Sequence, residues 1–360
     1  MDKRMPTLSD VARHAGVSYA TADRVVNNRG GVAEKSAARV RAAVDTLGYL
    51  RNVAAANLSQ QRTYRFVAII PGGTNAFFRR VRELLARERE RLTADRVALR
   101  LETVEAFDPE ALTDCLARLG EEKPDGIVMV GSEDSRVTAA SQALRDSGVA
   151  VVTLVSDLGH AARDAYVGID NQVAGRTAGR VIGLTHGGRA GRILPIIGAL
   201  TARDHAERLE GLKAAMAELY PEIAVAPELQ GRDRPDLVEP MLIDVLARDP
   251  AITAIYSVGG GNSGLFRVLE DPPQGRRRPI VVLHEAVEHT RRAARRGLVD
   301  VIIDQRPDEE IALALAHLRQ FADRLPPLTP APIVPAIYVA ENLPPEDETA
   351  GAEATRGRGS

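Results

Sequence analysis

Residues 8–27 read Leu8-Ser9-Asp10-Val11-Ala12-Arg13-His14-Ala15-Gly16-Val17-Ser18-Tyr19-Ala20-Thr21-Ala22-Asp23-Arg24-Val25-Val26-Asn27, two short amphipathic runs broken at a glycine. Thr7-Leu8-Ser9-Asp10 has the form of a capping box, so a first helix opens there and runs to about Ala15. Gly16 breaks it, and Ser18 can cap a second helix from Tyr19 to about Asn27. The turn Asn28-Arg29-Gly30-Gly31 leads to a third helix, about Glu34–Leu47, stopped by Gly48. Ala12, Ala15, Val17, Ala22, Val25, Val26, Val40, Val44 and Leu47 supply a miniature core. Two helices joined by a glycine turn let the second lie in a DNA major groove. Tyr19, Ala20 and Arg24 then point outward. An arginine there reaches guanine O6 and N7, and Tyr19 and Ala20 reach bases or thymine methyls. A three-helix unit serving protein contacts would share this spacing.

Beyond the headpiece an alanine-rich segment, Arg51–Leu58, leads into the polar linker Ser59–Arg65. The pattern then changes to alternating strands and helices, the signature of a mostly parallel α/β sheet. Strands are expected at Phe66–Ile70, Val97–Val104, Gly126–Val130, Val149–Val155, Ala165–Ile169, Arg192–Ile197, Ile223–Ala226, Ile252–Val258, Pro279–Leu283 and Val299–Ile303. Helical runs fill the gaps, among them Phe77–Leu92, Val173–Leu184, His205–Leu219 and Asp308–Phe321. So many strands exceed one open sheet and imply two α/β subdomains. Pro326–Pro335 is proline-rich, and residues 341–360 read as a disordered tail.

Composition narrows the class. At 360 residues the chain is long enough for two or three folded units, and 44% apolar content is enough to fill their cores. The net charge of −2 conceals an asymmetry: residues 1–62 carry ten Lys/Arg against five Asp/Glu, and the remainder 37 against 44. A basic segment on an acidic body suits a polyanion-binding module. Cys115, the single cysteine, excludes an internal disulfide and reads as a small buried residue in the run Pro109–Leu119. No apolar stretch reaches the ~18 residues of a membrane span, and the N-terminus has no signal-peptide core. A cytoplasmic location without membrane attachment is expected.

Two motifs invite an enzymatic reading. Gly259-Gly260-Gly261-Asn262-Ser263-Gly264 fits G-x-G-x-x-G after a strand, with Glu285 ending the next strand, so an NAD-linked oxidoreductase is the rival. His284-Glu285-Ala286-Val287-Glu288-His289 is one residue too long for H-E-x-x-H. On a helix at ~100° per residue its histidines would lie ~140° apart and could not chelate one zinc. No nucleophile–base constellation stands out. No catalytic residue, metal or cofactor is therefore expected, and the chain is read as a non-enzyme.

The headpiece resembles the lactose-repressor (LacI) family. The match runs from Leu8 through Val11–Ser18, Arg24–Asn28, Val32, Glu34-Lys35, Arg39-Val40, Ala42–Val44, Leu47–Tyr49 and Arg51-Asn52 to Leu58, then weakly over the rest. The resemblance implies a transcription regulator, of repressor type, that binds a palindromic double-stranded operator as a homodimer. Its DNA-contact candidates are Thr7, Ser18, Tyr19, Ala20, Thr21, Arg24 and Asn27 in the headpiece, with Asn52, Ala55 and Leu58 in a hinge helix. In the family a hinge leucine wedges into the central minor-groove step, and Leu58 matches it. Asp23 stands where serine is usual, Arg51 where proline is common, and Ala56-Asn57 where Arg-Ser is common.

For the remainder the resemblance implies a type I periplasmic-binding-protein fold, two doubly wound parallel-sheet subdomains around a cleft. The expected boundaries are 1–50 for the headpiece, 51–63 for hinge and linker, and 64–340 for effector binding and dimerisation. Subdomain one should hold about 64–164 and 299–325, and subdomain two about 166–297 and 328–341. A small sugar or polyol, bound off the carboxyl ends of strands, would be the effector. Its candidate contacts are Asn75, Phe77, Phe78, Asp134, Ser156, Asp157, Arg208, Asn262, His284, Glu285 and Gln305, with Arg208 and Gln305 foremost. Asp170 and Asn171 read as helix caps. His284, where the family has aspartate, leaves a phosphorylated or amino-bearing effector open.

Overall fold

The structure, a computed structural model, describes residues 6–26, 30–49, 62–271 and 277–345. The chain divides into two compact units, Met1–Arg62 and Thr63–Ser360, taken separately below. The hinge positions 52, 55 and 58, together with Asn27 and tail residues 346–360, lie outside the described residues.

The described residues of the first unit form three helices, α1 (Leu8–Ala15), α2 (Tyr19–Val26) and α3 (Glu34–Leu47). The capping box at Thr7 forms: its Oγ1 accepts from the Asp10 N–H at 3.3 Å, and Asp10 Oδ2 accepts from the Thr7 N–H at 2.9 Å. α1 stops at Gly16, whose φ of 60° is left-handed, and an added Cβ there would lie 2.5 Å from the Arg39 guanidinium. Val11, Ala12, Ala15, Ala22, Val40 and Ala43 are buried together. Small side chains keep the helices close. That tight packing gives the glycine turn a fixed angle.

The second unit holds two sheets. The first has the order β2 (Val97–Val104), β1 (Tyr64–Pro71), β3 (Gly126–Met129), β4 (Ala150–Leu154), β5 (Ala165–Val167), all parallel. The second runs β12 (Ala336–Tyr338), β11 (Val301–Asp304), β10 (Ile280–His284), β9 (Ile252–Ser257), β6 (Gly191–Ile197), β7 (Ile223–Val225), with β8 (Leu229–Gln230) also on β6. Only β12 is antiparallel. Alternate residues serve opposite faces: Phe66, Ala68 and Ile70 enter one core, and Val67 and Ile69 the other. The second sheet divides likewise, with Leu194 and Ile196 opposite Ile193 and Ile197. Strands apolar on both faces require helices on both, which makes each sheet doubly wound.

The chain crosses between sheets at positions slightly different from those expected. β5 still pairs with β4, so the first subdomain extends through Val167 rather than ending at 164. Val301–Asp304, expected in subdomain one, pairs parallel with β10 in the second sheet. Recrossing comes after it, where the helix Pro307–Ala322 packs on β3 and β4. The strand β12, just past the proline-rich segment, was not expected; it closes the edge of β11. Cys115 is buried, as its helical run implies. Among the described residues no helix is long and apolar enough to cross a membrane.

Candidate functional site

The strand ends of the two subdomains enclose a cavity of about 230 Å³. That is below the ~300–1,000 Å³ of drug-sized sites and suits a small ligand. From subdomain one comes the N-terminus of the helix Ala76–Ala94. Asn75 caps it, its Oδ1 accepting from the Phe77 and Phe78 N–H groups at 2.8 and 3.3 Å. The same residue's amide donates to Asp233 of subdomain two, so one side chain both caps a helix and spans the cleft. Phe77 sits mostly in the core while Phe78, half-buried, faces the cavity; their rings lie 5.2 Å apart, tilted at 58°.

From subdomain two the helix Arg203–Leu219 delivers Arg208, only 2% exposed. Its Nε donates to Asn171 Oδ1 at 2.8 Å, Nη1 to the Val258 carbonyl at 3.4 Å and Nη2 to Gln305 Oε1 at 3.4 Å. Asp204 lies 4.0 Å away on the preceding turn. Burial lowers the guanidinium pKa, but the acidic groups around it, Asp204 and Glu285 foremost, together outweigh that effect. The cation is therefore secured at the cavity wall. Glu207, a neighbour in sequence, instead takes Arg203 at 2.7 Å on the outer face.

β10 and β11 bring the remaining wall. His284 bonds Tyr256 through Nε2 at 2.7 Å. Burial, reinforced by Arg208 and His205, holds its pKa well below the usual value, so the imidazole is neutral. Glu285 follows with a left-handed φ of 75° and accepts from Gln305 Nε2 at 2.8 Å. Burial, then Asp304, pushes its carboxyl up to about 8. Asp304 itself is taken by Arg80 at 2.9 Å and by two backbone N–H groups.

Eight of the eleven expected contacts thus line one cavity: Asn75, Phe77, Phe78, Arg208, Asn262, His284, Glu285 and Gln305. Asp134, Ser156 and Asp157 do not. Asp134 caps the helix Ser135–Asp146, and Arg136 with backbone N–H groups holds its carboxyl down at about 2. Asp157 is gripped by Arg163 at 2.6 and 2.7 Å and by the Thr153 hydroxyl at 2.6 Å. Ser156 borders an adjoining cavity of about 70 Å³ that shares Phe78, Asp204, His205 and Asp233 with the main one. Asp233, Asp204 and His205 line the main cavity without having been expected, and Asn171 supports Arg208 from behind. Asp170 does cap its helix, accepting from Val173 at 2.9 Å.

The glycine-rich loop is committed to the protein itself. The Gly260 N–H donates to Asp233 Oδ1 at 2.7 Å, and a Cβ at Gly259 would lie 2.5 Å from that oxygen. A pyrophosphate needs those N–H groups and would collide with a carboxylate. Asn262 is held by Ser257 at 2.6 Å. Among the described residues no group of His, Cys, Asp and Glu is arranged to hold a metal.

In the first unit, α2 carries the other candidate surface. Ser18 Oγ accepts from the Thr21 N–H at 3.2 Å and caps α2, and Thr7 caps α1. Tyr19 is 57% exposed, and Ala20 and Arg24 are exposed beside it.

Comparison with known proteins falls along the same division. Residues 7–52 match the description "Bacterial regulatory proteins, lacI family", and residues 66–324 match "Periplasmic binding protein domain". The HTH-type transcriptional regulator DegA of Bacillus subtilis is 26% identical over 213 residues, 59% of this chain and 61% of that protein. The ribose operon repressor of Escherichia coli is 30% identical over 213 residues, 59% and 62% respectively. The chain thus spans about three fifths of the length of these relatives. A solute-binding protein of an ABC transporter from Burkholderia graminis, in complex with D-arabinose, superposes with a TM-score of 0.71. It shares 22% identity, over 78% of this chain and 96% of that one, a likeness of fold.

Proposed function

We propose that this chain, which belongs to the periplasmic binding protein domain family through residues 66–324 and matches the lacI family of bacterial regulatory proteins over residues 7–52, is a sequence-specific DNA-binding transcription regulator, of repressor type, whose operator affinity is set by a small sugar or polyol. The observation that carries this reading is Arg208, a charged side chain 2% exposed at the wall of a cavity between two subdomains. A buried guanidinium is costly, and a ligand's hydroxyls are partners for its remaining N–H groups. Asn75 and Asp233 meet across the same cleft, so a ligand seated there acts on the closure of one subdomain over the other. An effector shifts such an equilibrium only by its differential affinity for the two arrangements. The coupling to operator affinity is reciprocal. The exposed face of α2, with Tyr19, Ala20 and Arg24, would read the major groove, and a dimer would match a palindromic site.

The test measures melting of the full-length protein and its operator affinity together, against pentoses, hexoses, polyols, sugar phosphates and NAD. One sugar or polyol should raise the melting temperature and shift operator binding. Stabilisation by NAD alone would turn the reading toward an oxidoreductase, and stabilisation by a sugar with operator affinity unmoved would break the proposed coupling.

A further inference from the structure

Glu285 is placed with unusual care for a residue without a complete set of partners. Its left-handed φ of 75° is sterically costly for a side chain of this kind, and its N–H is fixed on the Ile303 carbonyl at 2.9 Å. One carboxyl oxygen accepts from Gln305, while the other, Oε2, is buried at the cavity wall without a partner. Buried polar atoms are nearly always bonded, so an orphan on a residue that lines a cavity indicates a ligand donor. We infer that the cleft takes an amine-bearing polyol, an amino sugar or aminated sugar alcohol, whose ammonium group is received by Glu285 and whose hydroxyls face Arg208 and His284. This rests on the effector-cleft reading above and narrows it.

The charges around the site favour a cation. The arginines closest to hand are engaged elsewhere: Arg80 with Asp304 at 2.9 Å, and Arg208 with Asn171 and Asp204. Beside Glu285, whose carboxyl titrates at about 8, the wall carries Asp204 and Asp233, so a phosphate or carboxylate ligand would face like charge from both. A second carboxyl, Glu310, lies fully buried with both oxygens unpartnered, and Glu285 is among the charges raising its pKa. An ammonium gives Glu285 a charged partner on ionisation; a hydroxyl satisfies only the geometry. Ionising Glu285 for that partner is cheap, because its carboxyl titrates at about 8 and each unit from neutrality costs about tenfold. His284, neutral and with Nδ1 unpartnered, is suited to a hydroxyl rather than a second charge.

Matched pairs decide the matter: D-glucosamine against D-glucose, D-galactosamine against D-galactose, and 1-amino-1-deoxy-D-sorbitol against D-sorbitol, with D-glucose 6-phosphate as the anion. Calorimetric titration of the full chain should find at least one amine bound about tenfold or more tightly than its hydroxyl twin, since charge-assisted hydrogen bonds are roughly twice as strong as neutral ones. Glu285→Gln, checked for native circular dichroism, should bring that pair level. Neutral sugars binding as well as their amines, or the phosphate binding best, would overturn the amine assignment and leave the effector cleft standing. Silence from every member at millimolar concentration would count against both. If Glu285→Gln does not fold, the wild-type ranking still decides.

Discussion

The two units of this chain put charged side chains to opposite uses. In the headpiece the described core is entirely apolar and small, and Arg24 and Tyr19 stand in solvent. In the larger unit Arg208, His284, Glu285 and Gln305 are all buried around one cavity, and Glu310 is buried as well. On the function proposed above, a duplex brings its own charges and base edges to a surface, so the protein need bury nothing in advance. A small ligand must be surrounded, so its partners have to be charged and desolvated before it arrives. Substitutions on the headpiece surface should therefore register in affinity alone, whereas those around the cleft should register in stability as well.

The sharpest way to break that contrast is Arg208→Ala. Removing a guanidinium that stands 4.0 Å from Asp204 leaves that buried carboxylate without its cation, a change worth about 3–5 kcal/mol. Denaturant unfolding of the variant should show that loss, along with loss of any effector response. A variant as stable as the parent would mean that the cleft charges are solvated, and the contrast between the units would fail.

A second, smaller effect follows from the two raised carboxyls. Burial raises Glu285 to about 8 and Glu310 in the same direction, so the folded state holds protons that the unfolded state releases near ~4.3. Their stabilisation is complete below the unfolded value and disappears as pH rises through the folded one. His284 works in reverse: its lowered pKa costs stability as pH falls below ~6.5. Between about pH 6.5 and 8 the Glu285 carboxyl removes about 2 kcal/mol as it loses its proton, and Glu310 acts in the same direction. Glu310→Gln should flatten the fall measured by thermal melting over those pH values. An unchanged slope would show that Glu310 is ionised in the fold.

Much of this contrast was legible in the residues before any coordinates. Thr7 with Asp10, and Gly16 after them, announced the first helix and its stop because capping chemistry is local. The strands announced themselves by apolar runs, and Arg208 and Gln305 by their match to the resembled family, Gln305 just past the end of a strand. What was hidden depends on long-range pairing. Val301–Asp304 is apolar on both faces, so nothing within it chooses a sheet; the register with Val282–His284 does. Asp233 follows a strand of two residues, too short to recognise, and acts only because Gly259 and Gly260 admit it closely. Asn171 reads as a cap beside Asp170, yet only Asp170 caps, and Asn171 turns inward to Arg208. Asp134 and Asp157 have the look of cleft carboxylates, but each is answered within its own subdomain by Arg136 or Arg163.

The smallest effect on stability is expected at Arg24, and it tests the other side of the contrast. The side chain is exposed on α2, one turn beyond the exposed Tyr19 and Ala20, and it belongs to no buried cluster. Truncating it removes neither core volume nor a counter-charge from a desolvated group, so Arg24→Ala should move the unfolding free energy by less than ~0.5 kcal/mol. Binding is another matter. A guanidinium that pairs with guanine O6 and N7 is worth ~1–3 kcal/mol of discrimination, so the variant should lose that much on the operator and relax preference at one base pair. A phosphate contact would behave differently, weakening operator and random duplex alike and lowering the salt dependence by about one ion. Fluorescence titrations on both duplexes at two salt concentrations separate these cases. Equal losses on the two would remove Arg24 from base readout. A drop in stability would show that the headpiece, like the cleft, relies on its charges to hold its fold.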